Sequence, residues 1–363
     1  MAIEQLFFKN FRNFESLDLS VDQGFVVLVG ANGAGKTNFL EGIYFGTSLR
    51  RFPESQLQQL LKQGKQFLKI TIRNQGPEGQ RQGVYCEKEN GKISFRLQIN
   101  NQPMTRSKYA SATPVVSFLP QDLTLLTGSP NNRRRFLSES ISSVFADYRS
   151  ALSNYGKALV QRNELLQKIA KRVAELEELS IWDVQLAQYG SLITERREKF
   201  AEFANQGLGE VLRAISPELG KASFYYQKSG SALPADFLKK LAAVRSKEQE
   251  LLTTVIGPHR DDFWLGVEGQ PLVGFASRGQ MRSLILGLKI LQKAYIEKIR
   301  RQSPILLLDD VFSEFDKLHQ QRLIDFLKGF EQAFISTAHL EEIRNYLPEK
   351  RQIIKIKDGQ VTA

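Results

Sequence analysis

The residues best equipped for chemistry stand in Gly30-Ala31-Asn32-Gly33-Ala34-Gly35-Lys36-Thr37, where an apolar run, 25–29, gives way to glycines, an amine and a hydroxyl. The pattern G-x-x-x-x-G-K-T lies between a predicted strand and a predicted helix (39–45), the context in which it marks a polyphosphate site. Its glycines let backbone N–H groups and the helix N-terminus face the anion. Lys36 is expected to reach the outer phosphates and Thr37 to offer its hydroxyl to Mg²⁺, in a binding segment running from Gly30 through Asn38. A glycine-rich turn without a ligand is the plainer alternative. The flanking elements favour a nucleoside triphosphate, with ATP first.

A second candidate is Ile305-Leu306-Leu307-Leu308-Asp309-Asp310, an apolar run ending in two carboxylates. Such a run reads as a buried strand of a parallel sheet, and ligands gather at the C-terminal edge of those sheets. Asp309 is expected to hold Mg²⁺ through water opposite Thr37, and Asp310 to orient or deprotonate the attacking water. The alternative is that the pair caps a following helix. Upstream, Ser277-Arg278-Gly279-Gln280 opens a predicted helix and offers a hydroxyl and N–H groups at its positive end, suited to a γ-phosphate. Alone it is no more than a helix cap. In this order with the other two segments it becomes specific.

Composition bounds the partners. Fifty Lys+Arg against 39 Asp+Glu leave the 363 residues at +11, which points to a polyanion, nucleic acid before membrane. A single cysteine, Cys86, excludes an internal disulfide framework and a Cys-based zinc site, and fits a reducing cytoplasm. It lies in a strand-like run, as a packing residue would. The first residues hold no basic segment leading into an apolar stretch, and no apolar run reaches about 18 residues, so neither secretion nor a membrane span is expected.

These groups must be positioned by the elements around them. Strands are predicted at 3–11, at 14–19, at 67–72, 83–87 and 93–99, with a turn at Asn74-Gln75-Gly76-Pro77 and a short helix at 54–63. Residues 114–119 read as a buried strand. From Ser129-Pro130 to about 214 the sequence is helical and polar, with Leu166, Ile169, Val173 and Leu176 at the spacing of a short coiled seam. A second helix is predicted from 182 to 215, making an antiparallel hairpin. Strand 264–268, helix 280–300 and strand 305–308 follow, then helix 318–330, strand 333–336, helix 340–346 and strand 352–357.

With these pieces together the sequence resembles the RecF family, a DNA-repair branch of the SMC-like ABC ATPases, over nearly its whole length. The resemblance rests on Asn10-Phe11-Arg12-Asn13-Phe14, on 30–38, on Leu119-Pro120-Gln121-Asp122-Leu123 and on Gly128-Ser129-Pro130-Asn131-Asn132-Arg133-Arg134-Arg135-Phe136-Leu137. It also rests on 257–262 and on Leu307-Leu308-Asp309-Asp310-Val311-Phe312-Ser313-Glu314-Phe315-Asp316. It implies an α/β fold, an ABC/SMC-type ATPase head of mixed antiparallel and parallel sheets with flanking helices and an inserted helical lobe. The head would comprise 1–127 and 255–363, with the lobe and its helix hairpin at 128–254.

The resemblance further implies an ATP-driven homodimer that binds double-stranded and gapped DNA, works with RecR and RecO to load RecA, and resets by slow hydrolysis. Ser277, Arg278, Gly279 and Gln280 would complete the partner's ATP site, Ser313 and Asp316 would lie in the D-loop, Gln121 would approach the metal, and His339 would be the switch histidine. Two departures stand out: Asp310 where most ABC proteins have Glu, and Ala276-Ser277 where the signature usually begins Leu-Ser. The shorter Asp310 should hold water less well, so slow turnover is expected on geometry; the resemblance implies a weak, DNA-dependent ATPase. An ATPase subunit for transport or chromosome organisation is the alternative. Arg133, Arg134 and Arg135 suit DNA phosphates, against a solvated helix start or an intramolecular clamp on the ATPase lobe. Arg12 either approaches the nucleotide or stabilises a strand turn. His259-Arg260-Asp261-Asp262 reads as an internal hydrogen-bonded network coupling the lobes, rather than a second metal site.

Overall fold

The computed structural model describes residues 2–53, 55–75, 79–344, 347–348 and 351–362, which form two units, 1–123 with 285–363, and 124–284. Alternation of buried Leu6 and Phe8 with half-exposed neighbours makes β1 (Ile3–Phe11) a one-sided strand, paired antiparallel with β2 (Phe14–Ser20). β3 (Gly24–Val29) is instead apolar throughout its centre and feeds α1 (Lys36–Ser48). β4 (Phe67–Asn74), β5 (Arg81–Glu89), β6 (Lys92–Ile99) and β7 (Gln102–Pro103) extend an antiparallel sheet in the order β2-β1-β4-β5-β6-β7. α2 (Arg106–Ala110) and the buried β8 (Val115–Phe118) follow.

The second unit begins with α3 (Pro130–Ser142), α4 (Ala146–Ala170) and α5 (Leu179–Ile215). It continues through β9 (Ser223–Gln227), α6 (Pro234–Ala243), α7 (Arg245–Leu251), β10 (Asp262–Val267) and β11 (Gln270–Pro271). α8 (Arg278–Arg300) contains the division between the units. The first unit then closes with β12 (Ile305–Asp309), α9 (Lys317–Lys328), β13 (Gln332–Thr337), α10 (Leu340–Arg344), β14 (Arg351–Lys357) and β15 (Gln360–Thr362).

Its second sheet runs β15-β14-β3-β13-β12-β8, parallel except at β15. α1 packs against strands of both sheets, so it is buried almost all round rather than on one stripe. Gly42 and Gly46 make this possible: a Cβ at either would overlap the Phe8 ring or the Ile70 and Ile72 side chains. Phe8, Phe14 and Phe39 meet edge to face at 5.8–6.2 Å, the preferred arrangement for aromatic rings. Burial pushes the Cys86 thiol up to about 12, leaving it a packing group.

Several expectations are corrected. The second unit runs to Leu284, past the expected return at 255, because β10 pairs antiparallel with β9, Phe224 stacking on Phe263 at 4.5 Å. The expected helix at 54–63 is a single 3₁₀ turn, Leu57–Leu60. The seam does not continue through Val173. α4 stops at Ala170, Arg172 takes a left-handed φ of 56°, and the Val173 N–H closes on the Lys168 carbonyl at 3.0 Å. Val173 is 73% exposed, while Leu165, Leu166 and Leu179 pack with Ile169, Leu176 and Trp182. Glu54, the turn residues Gly76 and Pro77, and the expected helix end at Tyr346 lie outside the described residues. Among the described residues no helix is long and apolar enough to cross a membrane.

The hairpin also buries charge. Arg162 is fully buried, with Nε on Asp183 Oδ1 and Nη2 on Glu248 Oε2, both at 2.7 Å, and Nη1 on Thr254 Oγ1 at 2.8 Å. Removing one partner of such a network strands the others. Arg162→Ala is expected to cost about 3–5 kcal/mol in urea unfolding of the second unit. A loss below about 1 kcal/mol would show that water reaches the two carboxylates.

Candidate functional site

Parallel register sets the site. Ser336 of β13 lies beside Asp309 of β12, and Thr337 beside Val29 of β3, so three strands end together at one edge. The glycine loop leaves β3 at that edge. Thr37, in the first turn of α1, donates its hydroxyl to Asp309 Oδ1 at 3.1 Å, and Ser336 donates to the same oxygen at 2.6 Å. Ser336 Oγ also accepts the Asp310 N–H at 3.0 Å. Asp309 is buried, and that burial raises its carboxyl above the ordinary value, with nearby Asp310 adding to the effect and the two hydroxyls opposing it. Asp310, at a left-handed φ of 46°, lines the cleft beside it.

The cleft holds about 300 Å³ and is lined by Asn32, Gly33, Lys36, Thr37, Asp309 and Asp310, with Gly35 and Asn38 completing it. Lys36 folds back over the loop, donating to the Gly30 carbonyl at 2.7 Å and the Ala31 carbonyl at 3.0 Å. The loop is braced from below by Asn13, which donates to the Ala34 carbonyl at 3.2 Å and accepts from Asn38 Nδ2 at 2.9 Å. Gly35, at φ 114°, is required there: a Cβ would overlap the Asn13 amide. The oxygen donors Thr37 and Asp309 suit a hard divalent cation, and a buried carboxylate is the charge such an ion would neutralise.

The other predicted residues distribute around this centre. His339 is exposed two residues past β13, its N–H on Thr337 Oγ1 at 3.0 Å. Gln121 is exposed on the 3₁₀ turn after β8, the strand beside β12, and does not line the cleft. Its neighbour Asp122 is buried and paired with Lys289 at 2.9 Å. Ser313 donates to the Asp310 carbonyl at 2.9 Å, and Asp316 caps α9 by accepting the His319 N–H at 3.0 Å. Arg12, the open case, lies with Glu41: Nε reaches Oε2 at 2.8 Å.

In the second unit, Ser277 and Gln280 cap α8 reciprocally, Ser277 N–H to Gln280 Oε1 at 2.9 Å and Gln280 N–H to Ser277 Oγ at 3.2 Å; Arg278 is exposed and Gly279 half-buried between them. The arginine run separates. Arg133 grips Asp262 through Nε at 2.6 Å and Nη2 at 2.8 Å, and also donates to the Leu126 and Gly128 carbonyls. Burial alone would raise Asp262, yet the Arg133 hydrogen bonds prevail and hold it low. Arg134 donates to the Asp261 carbonyl at 2.8 Å, and Arg135 pairs with Glu139 at 3.2 Å. Arg133 and Arg134 are thus clamped intramolecularly, but onto 261–262 of their own unit and not onto the ATPase lobe.

The expected 259–262 network is present, but it lies within this unit instead of coupling two lobes. Asp261 takes Arg197 at 2.8 Å and the Tyr226 hydroxyl, and His259 sits between the Tyr155 hydroxyl at 2.7 Å and the Thr254 carbonyl at 3.0 Å. Burial lowers His259 to about 4, so it is neutral, donating from Nε2 and accepting at Nδ1. Among the described residues no His, Cys, Asp and Glu cluster is placed to hold a metal. Sequence reasoning missed Ser336 and the bracing roles of Asn13 and Glu41, because a polar residue ending an apolar strand or a turn has no signature of its own.

Comparison with known proteins places this geometry in company. The family model described as RecF/RecN/SMC N terminal domain matches residues 2–362. A "DNA replication and repair protein RecF" from Natranaerobius thermophilus is 33% identical, covering 99% of this chain and 97% of that protein. One of the same name from Streptococcus agalactiae serotype V is 34% identical, covering 100% and 98%. A solved structure of the recombination mediator protein RecF-ATPrS in the RecFOR pathway superposes with a TM-score of 0.89 at 27% identity, over 99% of this chain and 97% of that one. An Smc head domain from Pyrococcus furiosus shares the fold at a TM-score of 0.54 and 16% identity, over 99% of this chain and 95% of that one.

The raised carboxyl has a sign. A folded-state value above the unfolded one favours the protonated acid, so its contribution to folding is present at low pH and is lost as the pH rises through the folded-state value. Asp309→Asn keeps an oxygen for Thr37 and Ser336 but carries no charge. It is expected to raise the melting temperature of the nucleotide-free protein by about 1–3 °C at neutral pH, a gain that closes as the pH falls to about 4. An unchanged or lower melting temperature at neutral pH would contradict the burial cost.

Proposed function

The chain belongs to the RecF/RecN/SMC family and is a RecF-type DNA-repair ATPase, and from that premise we propose that it works as an ATP-gated clamp on DNA. The observation that carries the reading is the Thr37–Asp309 hydrogen bond, which joins the phosphate loop to the carboxylate strand across 272 residues at the mouth of one cleft. ATP would bind along 30–38, its phosphate oxygens replacing the Gly30 and Ala31 carbonyls that Lys36 now holds. Thr37 and Asp309 would hold Mg²⁺, which supplies neutralisation of phosphate charge. Gln121 would join them only after its turn moves towards the cleft. Asp310 would orient the attacking water, with His339 beside the γ-phosphate. The short reach of Asp310 supports slow hydrolysis, timing release rather than driving turnover.

A second copy would close the cleft with Ser277, Arg278, Gly279 and Gln280, whose capped helix start presents N–H groups to the γ-phosphate, and with Ser313 and Asp316 along the interface. The dimer would bind double-stranded and gapped DNA in the cytoplasm and act with RecR and RecO to load RecA. The net charge of +11 and the likeness to a recombination mediator of the RecFOR pathway support this reading. DNA would in turn stimulate the ATPase.

Sedimentation with and without ATP and a gapped duplex tests it. The wild type is expected to dimerise only with ATP and to retain DNA as a dimer. Lys36→Arg should stay monomeric with ATP, and normal dimers from it would remove the cis site. Ser277→Arg should bind ATP as a monomer with affinity within about twofold of wild type, yet fail to dimerise. If it dimerised normally, the signature segment would have no role in trans.

A further inference from the structure

The antiparallel sheet turns one face to α1 and the other to solvent, and the outer face is not evenly filled. Strand register places Thr71, Gly83 and Gln98 side by side across β4, β5 and β6, with Lys69, Tyr85 and Arg96 as the next row on the same face. The alternating residues Leu68, Ile70, Val84, Cys86 and Leu97 point the other way and are buried. Gly83 therefore leaves a missing side chain in the middle of the outer face. Nothing lies within 4 Å of where its Cβ would be, and the gap opens a cavity of about 320 Å³. A glycine inside a strand weakens it and often marks the close approach of a ligand.

The walls carry charge of one sign. Lys69, Arg81 and Arg96 line the cavity, and among the described residues no carboxylate does. The Arg96 guanidinium is held 4.5 Å over the Tyr85 ring and spends one nitrogen on Glu87 at 2.8 Å, at the edge of the face. The Lys69 ammonium lies 5.8 Å from the Phe7 ring. Arg81 stands directly opposite Arg73 in the ladder, a like-charge pairing that costs stability. Arg73 is relieved by Glu4 at 2.7 Å, and Arg81 faces the cavity. An adjoining cavity shares Thr71 and Arg81 but contains Asp18, so the uniformly positive lining is confined to the first.

We propose that this cavity is a second phosphate-binding site, separate from the glycine loop, which takes the phosphate groups of a polyanion between Lys69, Arg81 and Arg96 over the floor left by Gly83. The two guanidinium forks match phosphate oxygens, and Thr71 and Gln98 add neutral donors. The phosphate comes either from a nucleic-acid strand, a source that rests on the DNA reading above, or from a free polyphosphate.

Two variants test the site without touching the nucleotide cleft. Gly83→Phe fills the cavity at a strand position with room for a side chain, and the Arg81→Gln/Arg96→Gln double variant removes two cations. Binding of a labelled gapped duplex is followed by anisotropy over a salt series. Sodium tripolyphosphate is titrated calorimetrically in a Lys36→Ala background, so that the glycine loop does not compete. With a nucleic-acid source, Gly83→Phe is expected to weaken duplex binding by roughly tenfold, and the double variant to reduce the slope of log K against log salt by about 2. With a free polyphosphate source, tripolyphosphate binding is lost in both variants while duplex binding is unchanged. Should the protein bind no DNA but lose tripolyphosphate in both variants, the clamp reading fails and the site stands. If neither variant alters either ligand, the site is overturned.

Discussion

A carboxylate placed where water is scarce governs the first unit. Asp309 ends a strand whose other residues are all apolar, and burial raises its carboxyl despite hydrogen bonds from Thr37 and Ser336. Both hydroxyls come from elements distant in sequence, and only the parallel register of β3, β13 and β12 delivers them to one oxygen. A parallel sheet of this kind needs cover, and α1 supplies it while also carrying Thr37. The helix that buries the core is therefore the helix that positions the site, which is why Gly42 and Gly46 must let the aromatic and aliphatic side chains of the antiparallel sheet come so close.

The second unit solves a different problem with the same chemistry. Its long hairpin buries Arg162 and Arg197, each saturated by carboxylates, hydroxyls or carbonyls. Arg133 and Arg134 extend this pattern to the start of α3, gripping residues near β10. A run of three arginines thus serves mainly to tie its own unit together. The site proposed above for a polyanion lies instead where strand register gathers Lys69, Arg81 and Arg96 around an absent side chain.

What the sequence determined by itself was local. Eight consecutive residues were enough to identify the phosphate loop, because glycines, lysine and threonine at fixed offsets act on one ligand through neighbouring backbone. The buried strand ending in Asp309 and most element types were legible for the same reason, since apolar periodicity is written within each segment. Reading failed where the deciding contact was remote. β9 was missed and the lobe boundary set too early, because antiparallel pairing with β10 is a property of neither segment alone. Val173 kept the spacing of the seam, yet the helix had already closed on Lys168.

Only the tertiary structure decided which polar groups meet. It assigned Asn13 to the underside of the loop, Ser336 to Asp309, and Arg12 to Glu41, and it turned Gly83 from a weak strand residue into the floor of a cavity. The physical reason is common to all four. A side chain's chemistry is fixed by its type, but its partner is fixed by register and by the layer above or below, and these are set by the burial of the whole sheet at once.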